Sequence, residues 1–117
     1  MIKVSSESII KEAVEPYFDQ WNELSSQIHK AHELRNGTEA KSLMGQGIQL
    51  FENCILHCSN SASQSIVESE EYEVLPLNGM ERLQFIKTRP GQYACFRQLD
   101  ELFKELKKRL ARLRIKK

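Results

Sequence analysis

Two groups in this sequence combine side chains that bind metals or attack electrophiles: His29 with His32, and Cys54, His57 and Cys58 further along. Zinc is the first chemistry they suggest, and it takes three or four ligands at about 2.0–2.3 Å. If the helices carrying the two groups pack antiparallel across the Asn36-Gly37 turn, positions equidistant from that turn face one another. Residues 29–32 then meet 42–45, and Cys54 lies about 14 Å further along at 1.5 Å per residue. No shared metal site is expected. A thiol beside an imidazole also suggests nucleophilic catalysis, but Cys54 and Cys58 fall on an apolar helix face and no orienting group or pocket accompanies them. Gly45-Gln46-Gly47 lacks the spacing and strand context of a phosphate-binding loop. The residues therefore predict no catalytic group, no metal and no cofactor.

Recognition is the better-supported chemistry. Arg89, Gln92, Tyr93, Arg97, Gln98 and Asp100 crowd one turn between two helices. The plainer reading is structural, with Arg89 paired to a nearby acid or helix carbonyls, Tyr93 packed and Gln98 capping or solvated. The alternative is a protein-docking corner built on Arg89, Tyr93, Arg97 and Gln98. Beyond it, Phe96, Leu99, Phe103, Leu106, Leu110 and Leu113 recur every three or four residues, a seam that must face a partner helix. The seam is expected to be buried, Leu106 with it. Its outer part, Leu110 and Leu113, extends past the obvious intramolecular partners and predicts either a homodimer or a docked second protein, with Leu106 a candidate contact beside them.

The same helix ends in Lys107, Lys108, Arg109, Arg112, Arg114, Lys116 and Lys117. Residues 104–117 hold eight Lys/Arg against one acid, a local charge of +7 inside a chain whose net charge is +1. The other residues therefore carry −6, so the basic end is drawn to an acidic partner or to the acidic body of its own chain. Such cations complement a helix C-terminus. They also permit backbone-only, salt-sensitive nucleic-acid binding, although no aromatic follows Phe103 to stack on bases.

The elements that must position these residues are helical. With 117 residues, 40% hydrophobic and 28% charged, the chain suits one domain able to bury roughly two-thirds of its unfolded surface without metal or disulfide support. No apolar run nears the ~20 residues that span a bilayer, and the start reads as no signal peptide, so a cytoplasmic location is expected. Cys54, Cys58 and Cys95 are expected to stay reduced. A first helix runs from about Glu7 to Arg35, started by Ser5/Ser6, stopped by Asn36-Gly37 and broken or kinked at Pro16. Its face is Tyr17, Trp21, Leu24, Ile28 and Ala31, with Phe18 and Leu34 at the edges. Thr38 is the expected cap of a second helix reaching Cys58, with Ala40, Leu43, Met44, Gly47, Leu50, Phe51, Cys54, Ile55 and Cys58 inward. Gly45 and Gly47 suggest close approach by another helix. Residues 59–65 form a polar loop. An acidic stretch then leads to Pro76, and Asn78 with Glu81 predicts a capping box for a short third helix stopped by Pro90. The long basic helix follows. The prediction is a single all-α domain, a three- to four-helix antiparallel bundle.

The stretch Leu75-Pro76-Leu77-Asn78-Gly79-Met80-Glu81-Arg82-Leu83-Gln84-Phe85-Ile86-Lys87-Thr88-Arg89-Pro90-Gly91-Gln92-Tyr93, continued by Phe96-Arg97-Gln98-Leu99-Asp100-Glu101-Leu102, resembles the C-terminal signature of the YpoC-like family of small proteins from low-GC Gram-positive bacteria. The P-x-N entry, the E-R-L-x-F-I helix, the R-P-x-Q-Y turn and the F-x-Q-L-x-E-L helix start carry the likeness. The resemblance implies no established activity. The functional expectation is a non-enzymatic, cytoplasmic helical protein acting through protein contacts, with nucleic-acid association as the alternative.

Overall fold

Four helices, α1 (Lys11–Glu33), α2 (Gly37–Cys58), α3 (Gly79–Thr88) and α4 (Tyr93–Ile115), form an all-α fold, described for residues 1–115 by a computed structural model. The α1–α2 hairpin is antiparallel, bringing Tyr17 against His57 with ring centroids 5.4 Å apart. Against α1, α4 runs antiparallel too, since Trp21 meets Asp100, Phe18 meets Phe103 and Ile9, just before α1, meets Arg114. The inward face expected of α2 is buried throughout. On α1, Val14 and Phe18 go fully inward with Trp21, Ile28 and Ala31, while Tyr17 and Leu24 are half-buried.

Aromatic packing holds the centre. The Trp21 indole stacks on Phe103 at 4.5 Å, and Phe51 meets Phe103 edge-on at 5.1 Å. Such offset and edge arrangements add to the area they bury. Gly47 makes the Trp21 contact fit: a Cβ there would lie 2.7 Å from Trp21 Cζ3. Gly45 has open space around it, so only one of the two glycines marks a close approach.

Helix ends depart from the expected pattern in four places. Residues 6–10 make turns and α1 begins at Lys11, with Ile10 as an N-cap that offers no side-chain bond. Pro16 sits inside α1 without breaking it; it is exposed, so the carbonyl it leaves unpaired can be hydrated. The left-handed residue after α1 is Arg35 (φ 54°), which frees Asn36 to cap α2 in place of Thr38. Asn36 Oδ1 accepts from the Glu39 amide at 3.1 Å, and its Nδ2 donates to Glu39 Oε2 at 3.1 Å. Asn78 makes no cap bond to Glu81, because its own backbone is left-handed (φ 55°) rather than extended, the geometry that aims a cap side chain at the helix amides.

The connection after α2 is tied down by the N-terminal segment. Ile2 donates to the Glu71 carbonyl at 2.7 Å and accepts from the Glu73 amide at 2.9 Å, while Ser5 donates to Cys58 O and Asn60 to Lys3 O. These are isolated bridges and, among the described residues, no strand forms. Tyr72 and Val74 are thereby buried with the helical core.

Candidate functional site

The seam residues of α4 settle inward. Leu106 and Leu110 are 0% exposed and Leu113 7%, and all three join one core with Ile9 and Val14. Leu106 is buried as expected, whereas the expectation that Leu110 and Leu113 lie beyond intramolecular partners is corrected by the segment preceding α1. That segment folds back beside the last turns of α4, where Arg114 Nε donates to the Ile9 carbonyl at 2.6 Å. Their burial withdraws all three from the docking surface of the folded chain.

The other four docking candidates remain outside. Arg89 ends α3, and Arg97 and Gln98 are exposed on the first turns of α4. Tyr93 is 43% exposed, yet its ring is held edge-on to His32 at 5.2 Å and against Phe96 at 5.7 Å. A Cβ on Gly91 would lie 3.7 Å from Lys41 Cβ and 4.0 Å from the Gly37 carbonyl, so the α3–α4 turn rests on the α1–α2 turn. Leu34, 69% exposed, and Arg35 belong to that second turn. One pole of the bundle thus gathers two exposed apolar side chains and three arginines, none of which has a side-chain hydrogen bond or ion pair among the described residues. Asp100 is excluded from this surface by its bonds, accepting from Trp21 Nε1 at 2.9 Å and pairing with Lys104 at 3.0 Å.

The basic end of α4 divides by direction. Lys107 lies 5.9 Å from the Phe18 ring centroid, facing a cleft of about 280 Å³ between α1 and α4. There Glu15 and Asp19 offset Lys11, Lys107 and Arg114. Arg109 Nε donates to the Glu73 carbonyl at 2.6 Å, so the basic end docks on the acidic segment through a backbone oxygen. Lys108 and Arg112 stay exposed. Lys116 and Lys117 lie outside the described residues. Because successive helical residues turn by about 100°, the cations spread around α4; Lys104, Lys108 and Arg112 alone share a row, and Lys104 there is paired with Asp100.

The residues weighed for metal or catalysis are pulled apart. His32 sits with Tyr93 and Phe96 at one end of α1, and His57 with Tyr17 at the other. Cys54 and Cys58 are both fully buried; a hydrogen bond between their side chains and burial push the Cys54 thiol well above the ordinary range. Neutral buried thiols are packing groups. Arg82, which was not singled out, proves the best-engaged cation: it clamps both oxygens of Glu105 at 2.9 and 2.8 Å. An Arg and a Glu so far apart in sequence give no local signal, since only helix packing joins them.

A family model described as "YpoC-like protein" matches residues 11–117, and the chain belongs to this family. It is 28% identical over 95 residues to "Uncharacterized protein YpoC" of Bacillus subtilis (strain 168), covering 78% of this chain and 58% of that protein. The chain therefore spans less than two-thirds of the length of the curated relative it matches. No solved structure matches it. No helix among the described residues is long and apolar enough to cross a membrane.

Proposed function

We propose that this member of the YpoC-like family is a non-enzymatic, cytoplasmic docking protein that presents the pole around Tyr93 to an acidic surface of another protein. The observation that carries this reading is Tyr93 itself: half-exposed, yet fixed by His32 and Phe96, and flanked by the unpaired Arg89 and Arg97. A pre-positioned aromatic ring loses little conformational freedom on binding, and tyrosine and arginine dominate the residues on which interface energy depends. Arg35, Arg89 and Arg97 outnumber the acids at this pole, Glu33 beside Tyr93 and Glu39 in the α1–α2 turn, and this surplus favours carboxylates on the partner. Burial of Cys54 and Cys58 supports the non-enzymatic part.

A photo-crosslinking amino acid at Gln98 tests it in cells. A discrete protein adduct that survives nuclease is expected, with none from the same group at Gln49 on α2. Arg89→Glu combined with Arg97→Glu should abolish the adduct while leaving the melting temperature nearly unchanged, because exposed, unpaired positions tolerate substitution within about 0.5 kcal/mol. An adduct that persists in the double variant would refute this pole as the docking site, and a nuclease-sensitive one would favour nucleic-acid association instead.

A further inference from the structure

Lys108, Arg109 and Arg112 line a cleft of about 150 Å³ between α4 and the Pro76-Leu77 turn, with Glu105 beside them. Glu105 attracts Lys108 but offsets the three cations only in part, since both of its oxygens are already held by Arg82, which also donates to the Leu77 carbonyl at 3.2 Å. Arg109 is oriented by the Glu73 carbonyl, a neutral acceptor that fixes the guanidinium without cancelling it. Lys108 and Arg112 have no ion pair or hydrogen bond among the described residues. They are four residues apart on one helix face, where like charges repel. Beside this excess of positive charge, Leu77 is 81% exposed.

We propose that this cleft binds a phosphoryl group, either free phosphate or a small phosphomonoester whose apolar part lies over Leu77. A phosphomonoester carries about −1.5 to −2 near neutral pH, which suits three converging cations better than a carboxylate does. Guanidinium groups engage such oxygens in pairs, so Arg109 and Arg112 hold the anion while Lys108 adds charge. The cleft is smaller than the roughly 300 Å³ at which whole-ligand pockets begin, which favours a single anionic group with a small substituent. A polymer backbone is disfavoured because the neighbouring cations are engaged or face elsewhere: Lys104, on the same face, pairs with Asp100, while Lys107 lies over Phe18 and Arg114 binds Ile9 O. The site is independent of the Tyr93 pole, from which it stands roughly 25 Å along α4 at 1.5 Å per residue.

Isotope-labelled protein titrated with inorganic phosphate and with phenyl phosphate, at ionic strength held constant with sodium chloride, tests the proposal. Saturable amide shifts centred on Leu77, Lys108, Arg109 and Arg112 are expected. Tighter binding of phenyl phosphate would assign the ester as the ligand, whereas equal affinity would assign free phosphate. Lys108→Gln combined with Arg112→Gln should weaken binding by about tenfold or more, since two charge-assisted contacts are lost. Lys107→Gln, which removes one charge from a different face, should leave it unchanged, and the variants' own spectra report that they are folded. Shifts that never saturate, equal weakening by Lys107→Gln, or tighter binding of a short DNA duplex with shifts spreading to Lys104 and Lys107 would each overturn the proposal.

Discussion

Arg82 and Glu105 show how a single pair makes stability depend on pH. The Arg82 hydrogen bonds hold the Glu105 carboxyl below its ordinary value of 4.5, against an opposing contribution from burial. A carboxyl whose folded value is depressed stabilises the fold above its unfolded value, and that contribution is lost as pH falls through the folded one. Their side chains are 25% and 38% exposed, so solvent screening limits the pair to about 0.5–1 kcal/mol. Glu105→Gln should therefore lower stability at pH 7 in urea melts, and the gap from wild type should close as pH drops below 4.5. A gap that persists undiminished in strong acid would show that lost packing, rather than the ion pair, is responsible. Cys54 illustrates the opposite case, since its environment disfavours the thiolate and leaves a small apolar side chain in the core.

Within α2, two glycines separated by a single residue are expected to respond to the same substitution with opposite signs. Replacing glycine by alanine in a helix interior gains about 1 kcal/mol where nothing obstructs the new methyl group. Gly45 has nothing within 4 Å of that position, so Gly45→Ala should stabilise the protein. At Gly47 the methyl would meet Trp21 at 2.7 Å and Leu99 at 3.2 Å, and the strain of overpacking, about 1–3 kcal/mol, should outweigh the helix gain. Thermal melts of the two variants moving in the same direction would contradict this placement of Trp21. Capping follows a related logic: Asn36 can cap α2 because Arg35 takes the left-handed turn, whereas Asn78 takes that turn itself and gives up the capping role.

For the molecule as a whole, the N-terminal segment completes the bundle. It pairs with residues on both sides of the connection between α2 and α3 and meets the last turns of α4 through Ile9. The outer seam is thus part of the monomer core, and Leu110→Ala should destabilise the chain by about 2–5 kcal/mol. That loss should be the same at low and high protein concentration, because a residue inside one chain contributes independently of association. If the loss grew with concentration in denaturant melts, Leu110 would belong to an interface between copies.

Much of this architecture was written in local patterns. The three- and four-residue spacing of apolar side chains determined the helices, the inward face of α2 and the burial of Cys54 and Cys58, because a helix turns by a constant angle and apolar groups leave water wherever they fall. On α1 the buried face is turned toward Val14 and Phe18 and away from Tyr17 and Leu24. The plainer reading of the sequence paired Arg89 with an acid or helix carbonyls, whereas the folded chain leaves its side chain exposed with no such partner among the described residues. Tertiary structure alone decided which segment covers Leu110 and Leu113, which acid Arg82 holds and which glycine a tryptophan presses against. Each of those contacts joins residues far apart in the chain. Periodicity says that a face must be covered, whereas the three-dimensional path of the backbone selects what covers it. The same distinction separates the cations of α4: adjacent in sequence, they point toward Phe18, Glu73, Ile9 or solvent according to what folding placed beside each one.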